Sequence, residues 1–266
     1  MSKTQPLVSV IIPTRNSART LDKCLKSIQD QTYPNIEIIL VDNNSTDNTK
    51  EIARKFTDKV YNKGPERSSQ RNYGAKKAKG EYLLIHDSDI YFHPDSVQEC
   101  VDLALDQQAD AVILPEKSIG EGYWTKVKAF ERSFYEGNDL IEAVRFFSKE
   151  AYNELGGYDE NMYAGEDWDL TIRFRKNNYK IMRATNYLLH DEGKLDLFGS
   201  TEKKKYYAKN LFKYYVKKNP DIFKQQMSFF KRFPASKLLI KGIRHPILLP
   251  SMILMKGLEL YNSKKA

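Results

Sequence analysis

The residues His86-Asp87-Ser88-Asp89 are the stretch of this chain best suited to chemistry. They follow Gly80-Glu81-Tyr82-Leu83-Leu84-Ile85, a glycine-bounded apolar run that reads as a short buried strand. The carboxylates therefore stand where that strand leaves the core. Side chains alternate along a strand, which would put Asp87 and Asp89 on one face. Two carboxylates at that spacing suit a hard divalent cation, Mg²⁺ or Mn²⁺, that keeps positions open for the phosphate oxygens of a nucleotide. A solvated turn after a strand has the same composition, and the motif alone does not separate the two.

Other acids stand at element ends. Asp42 closes a second apolar run, and an ionised Asp only accepts hydrogen bonds, so it can read the N–H edge of uracil or guanine. A turn or cap role is the alternative, and Asp47 is expected to be a cap or first-turn acid. Glu166-Asp167 opens a helix, where acids favour the helix dipole. Asp169 fits that role best, because Arg173 lies four residues on and can pair with it.

Such residues need a scaffold whose strand ends converge. Residues 8–12 form a β-branched run stopped by Pro13, and Leu21, Cys24, Leu25 and Ile28 follow at helical spacing. Residues 36–41 form a second buried strand, which ends in Asp42-Asn43-Asn44-Ser45-Thr46-Asp47 before a helix carrying Ile52, Ala53 and Phe56. A short strand near Val60, a helix over 68–78, the strand ending at His86, a helix over 94–108 and a strand over 111–114 complete a doubly wound α/β pattern. Ligands bind outside the carboxyl ends of such strands, where Thr14, Asp42 and Asp87 would meet. The second half is less regular. Residues 123–135 read as a helix, 144–148 as a strand, Gly156-Gly157-Tyr158-Asp159 as a turn, and Glu166 as the start of a helix. Ile181 and residues 187–189 suggest two more strands, the last ending at His190.

At 266 residues the chain can build one large α/β domain, or a smaller one with an appendage. Cys24 and Cys100 have no metal-type spacing and imply no disulfide framework. The polar start runs straight into a strand, so no signal peptide is expected, and no run of eighteen apolar residues marks a membrane span. Charge is unevenly spread. Of the 43 Lys and Arg and 35 Asp and Glu in the chain, residues 194–266 hold 17 and 4, which leaves 26 and 31 for the first 193. The basic tail interleaves Tyr206, Tyr207, Tyr214, Tyr215, Phe229, Phe230 and Phe233, a surface that suits anionic lipid or nucleic acid. Residues 236–244 and 247–260 read as short apolar helices carrying Lys237, Lys241, Arg244 and Lys256, with Pro234, Pro246 and Pro250 as breaks. They suit lying in a membrane interface, or packing on the catalytic domain or a second subunit.

The order of motifs resembles the family 2 glycosyltransferases, which have the GT-A fold. The resemblance rests on Val10-Ile11-Ile12-Pro13-Thr14-Arg15-Asn16, Val41 to Asp47, Arg71-Asn72-Tyr73-Gly74, Gly80 to Asp89, Gly156-Gly157-Tyr158-Asp159 and Gly165-Glu166-Asp167, and it covers roughly residues 8–190. It implies a Rossmann-like, mostly parallel sheet with helices on both faces, catalytic over 1–193, with a nucleotide-sugar half to about 115 and an acceptor half after it. Residues 194–266 would be a helical extension. Pro13, Thr14, Asn16, Asn44 and Ser88 would line the nucleotide-sugar pocket, Asp42 would accept from the base, and Arg71 would neighbour the diphosphate or pyrimidine. Asp87 would contact the ribose or donor sugar, while Asp89 and His190 would ligate Mg²⁺ or Mn²⁺. An exposed helix charge is the alternative for Arg71, and pairing with Asp191 or Glu192 the alternative for His190. Asp167, beside Glu166, would be the general base of an inverting transfer. Gly157 and Trp168 would touch the acceptor, with core packing the alternative for Trp168; beyond His190 the match is loose, and Lys203 and Tyr207, read on their own, could close over the diphosphate, face anionic lipid or form a solvated face.

The expected function is inverting transfer of a sugar, UDP-linked by preference and GDP- or dTDP-linked otherwise, to a hydroxyl of a glycan or lipid-linked glycan. Polyprenyl-phosphate glycosyl transfer, sugar-1-phosphate nucleotidyl transfer and a non-catalytic binding role are the rivals. The expected setting is cytoplasmic, peripheral on an anionic membrane face, without nucleic acid, with a homo-oligomer open.

Overall fold

The computed structural model describes residues 5–197, 207, 208 and 210–264. The chain opens with β1 (Val8–Thr14), α1 (Ala18–Gln29), β2 (Ile36–Asp42), α2 (Thr49–Ala53), β3 (Val60–Asn62), α3 (Arg67–Lys77) and β4 (Tyr82–Ile85). β3, β2, β1 and β4 lie side by side, all parallel. Every residue of β1 is buried, as a strand covered on both faces must be. Val8, Val10 and Ile12 pack into a layer with Leu21, Cys24, Leu25 and Ile28 of α1, whereas Ile11 faces the opposite layer. The register runs from Val8 opposite Ile36 to Thr14 opposite Asp42, so the carboxyl ends of β1 and β2 finish level.

Next come β5 (Ile90–Tyr91), α4 (Ser96–Asp106), β6 (Ala111–Ile113), β7 (Glu116–Glu121), α5 (Tyr123–Arg132), β8 (Val144–Ser148), α6 (Lys149–Glu154), α7 (Glu166–Lys176), β9 (Ile181–Arg183) and β10 (Leu188–Lys194). The main sheet has the order β3-β2-β1-β4-β8-β6-β9, with β8 antiparallel to both neighbours. Apolar side chains of α1 and α4 cover one face, and those of α3, α6 and α7 cover the other. α3 lies close on β1, because a Cβ at Gly74 would collide with Ile11. The α/β architecture is the one expected.

Two features differ from the sequence reading. A second sheet, β5-β10-β7, exists, and β10 continues past His190 to Lys194. Its later residues are polar and half-exposed, so no apolar pattern marks them; pairing with β7 makes the strand. Pro250 does not break a helix but sits in the first turn of one, where its missing N–H costs nothing.

That helix closes the tail. A π-helical segment (Leu211–Val216) leads to α8 (Pro220–Met227), α9 (Phe229–Arg232), α10 (Ala235–Arg244) and α11 (Leu248–Lys264). Tyr215 of the first segment packs with Met162 and Ile172, while Phe233, Met252 and Met255 pack with Val127, Phe130 and Phe134. A buried carboxylate fastens the second contact: Glu131 of α5 pairs with Lys128 at 2.7 Å and with Lys256 of α11 at 2.9 Å. Among the described residues no helix is long and apolar enough to cross a membrane.

Candidate active site

The level ends of β1 and β2 build one wall of a cavity of 640 Å³, lined by residues 13–17 at and after the end of β1, by Arg67 and Gln70 of α3, and by Asp87, Ser88 and Asp89. Hydrogen bonds knit its wall. Asp42 accepts from Thr14 Oγ1 at 3.0 Å and from the Ser45 amide at 2.8 Å. Asn16, at φ +51°, donates its amide to Ser45 Oγ at 2.8 Å and accepts from the Thr46 amide at 2.9 Å. A small amide side chain tolerates that left-handed backbone. Gln70 donates to the carbonyls of Thr14 and Val41 at 2.9 and 2.6 Å, joining α3 to both strand ends. Asp47 accepts from the Ala18 and Thr49 amides at the starts of α1 and α2, although it stands one residue before Asn48, the N-cap of α2.

Asp42 is fully buried, and its oxygens are engaged by Thr14 and Ser45 rather than turned into the cavity. Asn44 is exposed, pairs with Asn62 and does not line the cavity either. Pro13, Thr14, Asn16, Asp87, Ser88 and Asp89 do line it.

The acidic motif is a turn, not a strand. β4 ends at Ile85, and Ser88 and Asp89 turn the chain into β5, so strand alternation does not place the two carboxylates. They diverge to different partners. Asp87 Oδ1 accepts from the fully buried Arg71 at 2.8 Å, and Asp89 Oδ2 lies 3.6 Å from His190 Nε2. Arg71 is no exposed helix charge: its other terminal nitrogen reaches Glu166 at 3.1 Å and Asp167 at 2.9 Å. Burial would raise the pKa of Asp87, but Arg71 and Arg67 outweigh it and hold the carboxyl well below the usual carboxylate range. Glu166 is shifted upward, by burial and by the neighbouring Asp167.

Asp167 carries a guanidinium on each oxygen, Arg71 on Oδ1 and Arg145 of β8 on Oδ2 at 2.9 Å. Arg145 also pairs with Glu116 at 3.2 Å. Behind this cluster lies a second cavity of 390 Å³, which shares Arg67 and Asp87 with the first and is lined by Glu116, Arg132, Tyr135, Asp167, Trp168, His190, Arg232 and Lys256 among others. Trp168 is held by an indole N–H bond to the Ile141 carbonyl at 2.7 Å. Gly165 starts α7 at φ +78°, and a Cβ there would press on Leu211 and Tyr215 at 2.9 Å. The tail thus braces the turn that presents Glu166 and Asp167. Asp169 pairs with Arg173 at 2.8 Å, as its spacing foretells.

Burial alone would lower the pKa of His190; hydrogen bonding to Asp89 and Glu116 overcomes it and raises the value to about 10, with Arg132 opposing. Among the described residues no three His, Cys, Asp or Glu side chains form a group that could hold a metal ion. Asp89 and His190 still fit one in chemistry. Asp89 Oδ1 is buried with no hydrogen-bond partner, and one carboxylate with one imidazole suits Mg²⁺ or Mn²⁺ whose remaining positions go to phosphate and water.

The other expected contacts divide. Tyr207 lines the first cavity, with Arg67 5.5 Å from its ring centroid. Gly157 lies against Asn72 and Tyr152, away from both cavities. Lys203 lies outside the described residues, as do Lys204, Lys205, Tyr206 and Lys209. Sequence reasoning missed Arg67, Gln70, Glu116, Arg132 and Arg145. Only Arg145 carries a signal, a charge inside the apolar strand Val144–Ser148.

Residues 9–155, more than half of the chain, match the family model described as Glycosyl transferase family 2. The chain belongs to this family. A relative in Rickettsia typhi, an uncharacterized glycosyltransferase, is 30% identical over 64% of this chain and 58% of its own length. The chondroitin synthase of Pasteurella multocida is 27% identical over 76% of this chain and 23% of the synthase. The chain therefore spans only part of the length of these curated relatives. Among solved structures, the mannosyltransferase PcManGT from Pyrobaculum calidifontis in complex with GDP-Man and Mn²⁺ superposes with a TM-score of 0.67 at 18% identity, over 99% of this chain and 87% of that one. S. aureus TarS in complex with UDP-GlcNAc gives a TM-score of 0.57 at 20% identity, over 77% and 66%. At these identities the likeness is one of fold, and the fold is of the GT-A type. Family 2 membership sets aside the nucleotidyltransferase reading.

Proposed function

We propose that the chain transfers a sugar from a nucleotide-diphosphate sugar to a hydroxyl of a glycan or lipid-linked glycan, with inversion at the anomeric carbon. The observation that carries this reading is the pair of adjoining cavities, joined at Arg67 and Asp87, with Asp167 on the wall of the second. The first cavity would take the donor and the second the acceptor, so the reacting carbon would lie where they meet. Pro13, Thr14, Asn16 and Ser88 would bind the nucleotide-sugar, and Asp42 would act from behind by fixing Thr14. Asp87, kept ionised by its arginines, would accept hydrogen bonds from donor hydroxyls.

Asp167 would take the proton of the acceptor hydroxyl as its oxygen attacks opposite the departing diphosphate. Arg71 and Arg145, one on each oxygen, would hold that carboxylate in a fixed orientation. The Glu166-Asp167 pair favours a hydroxyl acceptor over polyprenyl phosphate, which is already ionised and needs no base. Bound at Asp89 and His190, Mg²⁺ or Mn²⁺ would neutralise charge on the leaving diphosphate. Arg67, which faces both cavities, would add a fixed positive charge there.

We favour a UDP-sugar; the UDP-GlcNAc of TarS and the GDP-Man of PcManGT give both bases precedent in this fold. Residues 1–193 would be the catalytic unit, with the extension supplying Arg232 and Lys256 to the acceptor side. A thermal-shift series with UDP, GDP and dTDP, with and without Mn²⁺, tests the reading, because a ligand that binds only the folded state raises its stability. One nucleotide should stabilise the protein, and more so with Mn²⁺. No shift with any of them would contradict the proposal.

A further inference from the structure

α10 is amphipathic in the direction opposite to an ordinary surface helix. Its two lysines point inward: Lys237 donates to the carbonyls of Phe134 and Glu136 at 3.3 and 2.8 Å, and Lys241 to that of Ser133 at 3.0 Å. These carbonyls follow the end of α5, where cations are favoured. Leu238 is its one apolar side chain packed onto the domain. The outward side is apolar, with Leu239 66% and Ile243 74% exposed and Ile240 exposed as well. A surface helix of a globular protein normally turns its apolar stripe to the core and its charges to water.

The exposure continues along the tail. Phe230 of α9 is 73% exposed and Ile247, at the bend between α10 and α11, is 71% exposed. Nine of the eleven large hydrophobic residues exposed among the described residues lie between positions 227 and 254. Single exposed hydrophobics are ordinary, but such a concentration marks a surface that binds something.

Charge selects what it binds. Between Asp221 and Glu259 the sequence has no acidic residue and seven Lys or Arg. Exposed Lys224, Lys231 and Arg244 flank the apolar side chains. Anionic lipid headgroups complement that charge, while the exposed Leu, Ile and Phe side chains suit the boundary of the acyl chains. A second copy would bring the same cations against these, and residues 222–258 offer no carboxylate to answer them. No described helix is long and apolar enough to cross a bilayer, so a membrane contact of this segment would lie along the surface.

We propose that the outer face of α9, α10 and α11 docks on an anionic bilayer. α9 and α11 also contribute Arg232 and Lys256 to the second cavity. If the acceptor reading above is right, docking holds the acceptor site beside the lipid surface and selects a lipid-linked acceptor; the docking itself does not depend on that reading.

Sedimentation of the full chain with vesicles of phosphatidylcholine, with and without phosphatidylglycerol, tests the proposal, alongside the variant Ile240→Ser/Ile243→Ser. Both positions are solvent-exposed, so the variant keeps its fold, and an unchanged nucleotide thermal shift verifies this. The parent should bind the anionic vesicles far better than the neutral ones and be partly released by salt, and the variant should bind about tenfold more weakly or less. Equal sedimentation of parent and variant, or none of the parent, would overturn it. So would a parent dimer in analytical ultracentrifugation that the variant converts to a monomer, because the face would then join two copies. Loss of vesicle binding with the nucleotide shift intact separates this proposal from the catalytic one.

Discussion

The two cavities that meet at Asp87 are built from different materials. The first is walled by the loops after β1 and β2 and held by hydrogen bonds among Thr14, Asn16, Asp42 and Ser45, residues of two neighbouring strand ends set level by strand register. The second is held by charge. Arg71, Arg145, Glu116 and Asp167 come from α3, β8, β7 and α7, and each is wholly or largely buried against an opposite partner. A hydrogen-bonded loop loses little when one member is trimmed, whereas a buried ion network left with an unpaired charge loses much. The first cavity should therefore be robust and the second brittle.

The largest effect should come from Arg145→Met, which strips Asp167 Oδ2 and Glu116 Oε1 of their guanidinium. We expect it to cost about 3–5 kcal/mol in chemical denaturation. Asn16→Ala in the first cavity should cost only about 1 kcal/mol. Equal losses would break the contrast between the two cavities.

A smaller, pH-dependent effect should appear at His190. Its folded pKa of about 10 lies above the unfolded value near 6.5, so its stabilising contribution is complete below the unfolded value and disappears as pH rises through about 10. Without divalent ions, His190→Gln should melt below the parent at neutral pH, and the gap should close in strong base. A gap independent of pH would show that His190 is not held as a cation between Asp89 and Glu116.

What the sequence made legible follows the same division. The buried strands, the helix carrying Cys24 and the Asp169–Arg173 pair all express local periodicity or spacing, and all are found. Asp42 stands at its strand end, but burial turned it inward, because Thr14 and Ser45 offered it donors. β7 and the polar half of β10 were hidden, since their strand character comes from pairing with each other. Arg145 was visible as a charge in an apolar strand, yet its acids, Glu116 and Asp167, lie 29 and 22 positions away, a distance no spacing rule spans. The inverted face of α10 needed the structure too, because the same alternation of Leu, Ile and Lys fits a helix packed either way round.

On the proposed reading, donor and acceptor chemistry would divide at Asp87, with Asp89 serving the nucleotide side and Asp167 the acceptor side. Calorimetric titration of the nucleotide diphosphate in Mn²⁺ into the parent, Asp89→Ala and Asp167→Asn, read beside transfer rates, tests it most directly. Asp89→Ala should lose the Mn²⁺-dependent part of the affinity, while Asp167→Asn should bind as the parent does and lose transfer by about 10²- to 10⁴-fold. Contradiction would be Mn²⁺-dependent binding that survives in Asp89→Ala, or transfer in Asp167→Asn that falls no further than its donor affinity.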